Sequence, residues 1–177
     1  KNKNLRHAIL LWLAFTTTSA FAQLKIEITG FGSNQAPIAI LPLKGEETLP
    51  EKVTSIVAAD LQRSGYFKIV DSGGVNPVPA EPAEVQFPAW KTRGADALVI
   101  GSVSPLSNGN WDVRFRLMDV LKQTQITGFA YQVAAGQLRS TAHKIADAIY
   151  EKMTGDVGVF STRITYVVKR GTRYELQ

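Results

Sequence analysis

Three consecutive strand-type segments near the middle of the chain constrain its fold more than any other feature. The first is a continuous apolar run, the second alternates apolar with charged residues, and the third is again rich in β-forming residues. An Asn-Gly pair, typical of tight hairpins, stands between the first two. We therefore predict an antiparallel meander. The segments are residues 95–103, 111–117 and 125–133, with turns at 107–110 and 122–123.

A helical periodicity follows residues 37–43, an apolar run dense enough for a strand covered on both faces. Thr48 and Glu51 have the spacing of a capping box, which predicts the start of the helix. Gly65 suits the position after its last residue, and residues 66–70 predict a short strand. The apolar stripe of this helix consists of Val53, Ile56, Val57 and Leu61.

A second long helix is predicted after the meander, over residues 137–154, with Gly155 to close it. A shorter helix over residues 87–93 precedes the meander. Strand–helix–strand–helix, followed by a meander and a helix, predicts an α/β domain with helices packed on a mixed sheet. The stripe of the long helix consists of Leu138, Ala142, Ile145, Ile149 and Met153.

The first 22 residues have the three parts of a secretory signal peptide. Three basic residues precede an apolar run over residues 8–15, and the small residues Ala20 and Ala22 favour cleavage before Gln23. The alternative is an anchor helix, but eight apolar residues span only about 12 Å, far short of a bilayer. We therefore predict export, and the periplasm as the location.

Removal of this segment changes the charge of the chain. The full sequence has 20 basic and 15 acidic residues, and without the three basic ones of the signal its net charge is only +2. Such a balance does not favour nucleic-acid binding. The sequence has no cysteine, which excludes disulfides, thiolate metal ligands and a lipidated N-terminal cysteine.

An alternating segment follows the predicted cleavage site. Leu24, Ile26 and Ile28 fall on one side of a strand, and Lys25 and Glu27 fall on the other. Two interpretations stay open: a plain edge strand of the domain, or a strand that pairs with the sheet of a partner. The segment runs from Gln23 to Thr29 and is followed by the turn residues Gly30, Phe31, Gly32, Ser33 and Asn34.

Candidate catalytic residues are few. His143 is the one histidine beyond the signal segment, and its place beside the apolar stripe predicts a solvated or partly covered surface residue rather than a general base. Residues 30–33 begin like a dinucleotide loop but lack the third glycine. We predict no catalytic residue, no metal ion and no cofactor. The strand-edge carboxylates Asp96, Asp112 and Asp119 have no histidine or cysteine cluster to join.

The C-terminal end departs from the α/β pattern. Residues 164–170 predict a strand beyond the last helix, and residues 171–177 carry no recognisable closing element. We therefore expect this strand to need a partner from elsewhere.

Several segments resemble the TolB family of the periplasmic Tol–Pal system, over essentially the whole stretch 23–177. The most specific are residues 57–71 (V-A-A-D-L-Q-R-S-G-Y-F-K-I-V-D) and 160–168 (F-S-T-R-I-T-Y-V-V). The stretch A-D-A-L-V-I-G-S-V also resembles envelope proteins of the curli-secretion and synthase-activator type. An envelope regulator or secretion-type subunit with the same sheet is therefore the alternative function.

The resemblance to the TolB family implies an α/β domain similar to an anticodon-binding fold, followed by a six-bladed β-propeller. It divides the chain into a signal peptide (1–22), a partner-binding strand and linker (23–36), an α/β domain (37–159) and the first strand of a propeller (160–177). It also implies a non-enzymatic adaptor between TolA and Pal that supports envelope integrity and constriction at division, and that colicins exploit.

By position, the TolA-binding stretch of the family falls on Gln23 to Asn34, whereas the Pal-binding residues would lie beyond Gln177. Residues 31–34 lack the acidic side chains that the family carries there. The resemblance implies no nucleic acid among the partners, and contact with membranes only through those partners.

Overall fold

The computed structural model describes residues 35–162, 165 and 167–176. The predicted signal peptide and the alternating segment, residues 1–22 and 23–34, lie outside the described residues.

Five strands form one sheet: β1 (Ala36–Ile40), β2 (Phe67–Val70), β3 (Ala97–Pro105), β4 (Trp111–Asp119) and β5 (Thr124–Val133). Their order across the sheet is β2-β1-β3-β4-β5. The interior strand β1 runs parallel to both β2 and β3, whereas β3, β4 and β5 pair antiparallel in succession. The predicted mixed sheet and meander are therefore confirmed.

Three α-helices accompany this sheet in the described part of the chain: α1 (Val53–Arg63), α2 (Phe87–Thr92) and α3 (Leu138–Thr154). The predicted stop residues Gly65 and Gly155 follow α1 and α3 with φ angles of 77° and 85°. This is the left-handed conformation that a helix C-terminus favours and that glycine adopts without a steric penalty. None of the helices in the described residues is both long and apolar enough to cross a membrane.

The sheet separates two apolar clusters, and β1 contributes to both. Ile38 and Ile40 point to the face covered by α1 and α3, and Ala39 and Leu41 point to the face that holds Trp90 of α2. The prediction of a strand covered on both faces is confirmed. Burial on both faces explains why the segment is almost continuously apolar rather than alternating.

The predicted capping box of Thr48 and Glu51 is wrong. Thr48 ends a short 3-10 helix, where its hydroxyl donates to the Gly45 carbonyl at 2.8 Å, and α1 begins at Val53. The first turn of α1 is capped instead by Glu46, which lies before the helix and folds back onto it. The 3-10 helix that ends at Thr48 and the α-helix that begins at Val53 are separate elements, which the sequence pattern did not distinguish.

The expectation that nothing closes the C-terminal strand is also wrong. β6 (Val167–Arg170) pairs antiparallel with β7 (Arg173–Leu176), and Gly171 takes a φ of 64° in the turn between them. The two strands form a separate two-stranded sheet. Residues 164 and 166 of the predicted strand lie outside the described residues.

Candidate functional site

The predicted partner-binding residues, Gln23 to Asn34, and the cleavage-site residues Ala20 and Ala22 lie outside the described residues. The first described residue after this segment is Gln35, at the junction with the domain. The side-chain amide of Gln35 donates to the carbonyl of Gly65 at 3.0 Å, and the backbone N–H of Ala36 donates to the carbonyl of Tyr66 at 2.8 Å. These bonds fix the junction to the loop that follows α1.

Aromatic rings surround this junction. The ring of Tyr150 on α3 makes edge-on contacts with Tyr66, Phe67 and Phe160, with centroids 5.5, 6.3 and 5.7 Å away. Burial, and after it the neighbouring Tyr66, raises the pKa of the Tyr150 phenol above its ordinary value. The phenol therefore stays neutral across the physiological range.

The segment after α3 is held at the same place. The carboxylate of Asp147 accepts hydrogen bonds from the backbone N–H groups of Phe160 and Ser161, at 2.7 and 3.1 Å. The segment before β1 and the segment after α3 are thus both anchored around Tyr66 and Tyr150. Gln35 and Phe160 therefore both lie beside this cluster.

A hydrogen bond to a buried carboxylate joins α1 to α3. Nδ1 of His143 lies 2.5 Å from Oδ2 of Asp60, whose side chain is 3% exposed, and the guanidinium of Arg63 bonds the other oxygen of Asp60. His143 itself is 22% exposed. It agrees with the prediction of a partly covered residue, but its pairing with Asp60 was not predicted.

A His–Asp pair also occurs in hydrolytic triads, where the second ring nitrogen activates a hydroxyl or thiol. Among the described residues, the His143 ring forms a hydrogen bond with Asp60 through Nδ1. This hydrogen bond joins two packed helices, α1 and α3. The described residues also contain no group of three or more histidines and carboxylates that could hold a metal ion.

Sequence reasoning missed Asp60 and Glu46. Asp60 could have been noticed, because it lies three residues after Val57 on the apolar stripe of α1, where an unpaired charge would be costly. Glu46 carries no such signal, since it lies outside the helix that it caps.

A second carboxylate caps a turn on the opposite face of the sheet. Oε2 of Glu84 accepts hydrogen bonds from the backbone N–H groups of Ala80 and Glu81, at 2.7 and 3.2 Å. These bonds, Ala80 first, lower the pKa of Glu84, and the charge of Lys44 adds a smaller effect. The carboxylate thereby holds the loop between β2 and α2 in shape.

Comparison with known proteins reveals close relatives. Residues 24–126, more than half of the chain, match the family described as TolB amino-terminal domain. The chain is 53% identical over 169 residues to a Tol-Pal system protein TolB of Nitrosomonas europaea, and 53% identical over 171 residues to that of Nitrosospira multiformis. In each case 96% of this chain matches 39% of the relative, so the chain spans about two fifths of the length of these proteins.

The fold has a counterpart among solved structures. The crystal structure of TolB from Acinetobacter baumannii superposes on 81% of this chain with a TM-score of 0.64 and 33% sequence identity, and the match covers 35% of that chain. Sequence and fold comparisons thus point to one and the same family.

Proposed function

The chain belongs to the TolB family, and from this premise we propose that it acts as a non-enzymatic periplasmic adaptor of the Tol–Pal system. In this proposal its N-terminal strand binds TolA, and a β-propeller beyond the chain binds Pal. The linkage would support envelope integrity and constriction of the outer membrane at cell division, and colicins would exploit it. The observation that carries the proposal is the 53% identity to Tol-Pal system proteins over 96% of the chain.

Export is part of the proposal. The basic start, the apolar core and the small residues Ala20 and Ala22 support cleavage before Gln23. Mass spectrometry of the exported protein tests this, and Ala22→Leu should block processing because leucine does not fit the pocket for small side chains. Retention of residues 1–22 in the periplasmic protein would contradict the proposal.

The alternating segment is the proposed ligand for TolA. Its alternation suits addition to a partner sheet, where backbone bonds give affinity and alternate side chains give specificity. In support of this role, β1, the strand that this segment precedes, already pairs with β2 and β3 on its two sides.

The binding test compares single substitutions on the two sides of the strand. Burying one aliphatic side chain contributes roughly 1.5–3 kcal/mol, so Ile26→Asp should weaken binding of a TolA C-terminal domain more than about tenfold. Glu27→Gln is the matched control and should change affinity little. Equal affinity for wild type, Ile26→Asp and a variant without residues 23–34 would place the TolA site elsewhere.

The propeller is proposed from the family and from the coverage of the relatives. Residues 160–177 would contribute its first strand, and the β6–β7 hairpin supports an antiparallel element at this place. The similarity of residues 37–159 to an anticodon-binding domain belongs to the same proposal.

The alternative, an envelope regulator or secretion-type subunit, would lack the propeller. Tandem repeats of about 40–45 residues with four strands each in the downstream sequence decide between the two.

A further inference from the structure

We propose that the outer edge of β5 is a docking site for an extended segment of a partner protein in which apolar residues alternate with acidic ones. The inference goes beyond the proposed function, since it concerns the edge of the folded domain and not the N-terminal strand. Among the described residues, β5 pairs with β4 alone and forms one border of the sheet.

β5 lacks most of the devices that normally protect an edge: a bulge at Ile126 interrupts its pairing with β4 near its start, but residues 127–133 pair in regular register. It is ten residues long, Thr124 to Val133, and contains neither a charged residue nor proline. Exposed edges are usually blunted by lysine, proline or short length, because their free N–H and C=O groups otherwise pair with other chains. The opposite border, β2, is only four residues long and presents Lys68 to solvent. The two borders are thus unequal, and β5 is the one suited to pairing.

The face of β5 turned towards α3 is apolar. Phe129 stacks against Phe115 of β4 and Tyr131, with ring centroids 6.0 and 6.3 Å away, yet its side chain is 48% exposed. Tyr131 and Val133 are partly buried against the core on the same face. An added strand would cover this row with every second side chain, because strand side chains alternate between faces. Those side chains should therefore be apolar.

On the other face of β5, the two positions that lie beside arginines carry small residues, whereas Gln132 on the same face is in register with Asp112. Gly128 is in register with Arg116 and Ala130 with Arg114, and a Cβ placed on Gly128 would lie 3.2 Å from Cγ of Arg116. A strand paired with the free edge of β5 would lie about 10 Å from β4. An arginine on β4 and a glutamate on the added strand can reach each other across β5, because Gly128 and Ala130 between them are small.

Both arginines already have a carboxylate partner. Nε of Arg114 lies 2.7 Å from Asp112, and a terminal nitrogen of Arg116 lies 2.9 Å from Glu81. A guanidinium has five N–H donors, more than one carboxylate can use, and the Arg114 side chain is 54% exposed. Acidic residues at the alternate positions of a partner strand therefore complement this face.

The test uses labelled peptides and the full chain. The probe is an acetylated peptide of about eight residues that alternates isoleucine with glutamate, and its binding is followed by fluorescence anisotropy. Replacing its glutamates by glutamine should weaken binding about fivefold, and replacing them by lysine at least tenfold, because exposed ion pairs contribute modestly and like charges oppose binding. The protein itself is unchanged in this series, so folding cannot confound it.

Protein variants test the edge itself. Phe129→Lys should weaken binding of the acidic peptide at least tenfold, because it places a charge where the apolar row must be covered. Phe129→Thr removes the ring without adding a charge and should weaken binding less. Val159→Lys, an exposed position outside the sheet, is the matched control and should bind like wild type. Circular dichroism verifies the fold of each variant.

Three results would overturn the proposal. Equal binding of the three peptides would remove the preference for acidic residues, and unchanged binding to Phe129→Lys would move the site away from β5. Tighter binding of a peptide with the sequence of residues 23–29 than of the acidic peptide would identify the N-terminal strand of the chain as the occupant.

Discussion

The carboxylate of Glu46 accepts two hydrogen bonds from Thr54, one from the backbone N–H at 2.7 Å and one from the hydroxyl at 2.6 Å. It also accepts the backbone N–H of Leu43 at 3.2 Å, and its side chain is almost fully buried. A single acidic residue thereby joins the end of the β1 segment to the first turn of α1. An acidic group at a helix N-terminus also complements the helix dipole.

We expect Glu46→Gln to lower the free energy of unfolding by about 2–3 kcal/mol, because the amide accepts fewer bonds and leaves buried donors unpaired. Urea denaturation followed by circular dichroism measures the change. Glu47→Gln alters the exposed neighbour and should shift stability by less than about 0.5 kcal/mol. Equal effects of the two substitutions would refute the capping role of Glu46.

The pairing of Asp60 with His143 should contribute to stability by linking α1 to α3. We expect His143→Ala to lower the free energy of unfolding by about 1–3 kcal/mol, because Asp60 then keeps only Arg63 as a partner. Arg63→Ala is the control, and because the Arg63 side chain is 70% exposed its effect should stay below about 1 kcal/mol. A loss for His143→Ala no larger than for the control would show that the pair contributes little.

Glu84 should make stability depend on pH in the acidic range. Its folded-state pKa is lowered by the N–H groups of Ala80 and Glu81, so its contribution is present above the unfolded pKa of about 4.3 and is lost as pH falls through the lower folded value. We expect the stability difference between wild type and Glu84→Gln to be constant near neutral pH and to shrink in acid. The measurement is thermal unfolding as a function of pH, with exposed Glu151→Gln as the control. A pH-independent difference would contradict the capping role of Glu84.

Gly158 should be required for anchoring the segment after α3. A Cβ at this position would lie 2.5 Å from both Cα and Oδ1 of Asp147, the residue that bonds Phe160 and Ser161. We expect Gly158→Ala to detach this segment and make it more susceptible to limited proteolysis. Gly136→Ala, where no atom lies within 4 Å of the added carbon, should leave the cleavage pattern unchanged. Identical digestion of both variants would show that the segment adapts to the methyl group.

The domain should fold without residues 23–34. β1 is an interior strand with neighbours on both sides, and the described residues form an apolar cluster on each face of the sheet. We expect a chain that lacks these residues to keep the circular dichroism spectrum and cooperative unfolding of the full one. Loss of either would mean that the segment is a structural strand of the domain.

The sequence by itself determined the kind and order of the elements. Helix and strand periodicities are local, and each is imposed by which side of an element faces the core, so α1, α3 and the β3–β5 meander could be predicted. Glycine also marks helix ends locally, as Gly65 and Gly155 do. The family could be recognised from the sequence for the same reason, since its characteristic segments are contiguous.

Only the tertiary structure decided which polar groups meet. Glu46 bonds Thr54 eight residues away, and Asp60 bonds His143 across 83 residues of the chain. The local pattern around Thr48 and Glu51 satisfied the rules of a cap, yet the buried carboxylate of Glu46 occupies that role. A buried polar group needs a hydrogen-bond partner, because leaving it unpaired is costly. That partner can come from a distant part of the chain, and local periodicity in the sequence does not reveal which residue it is.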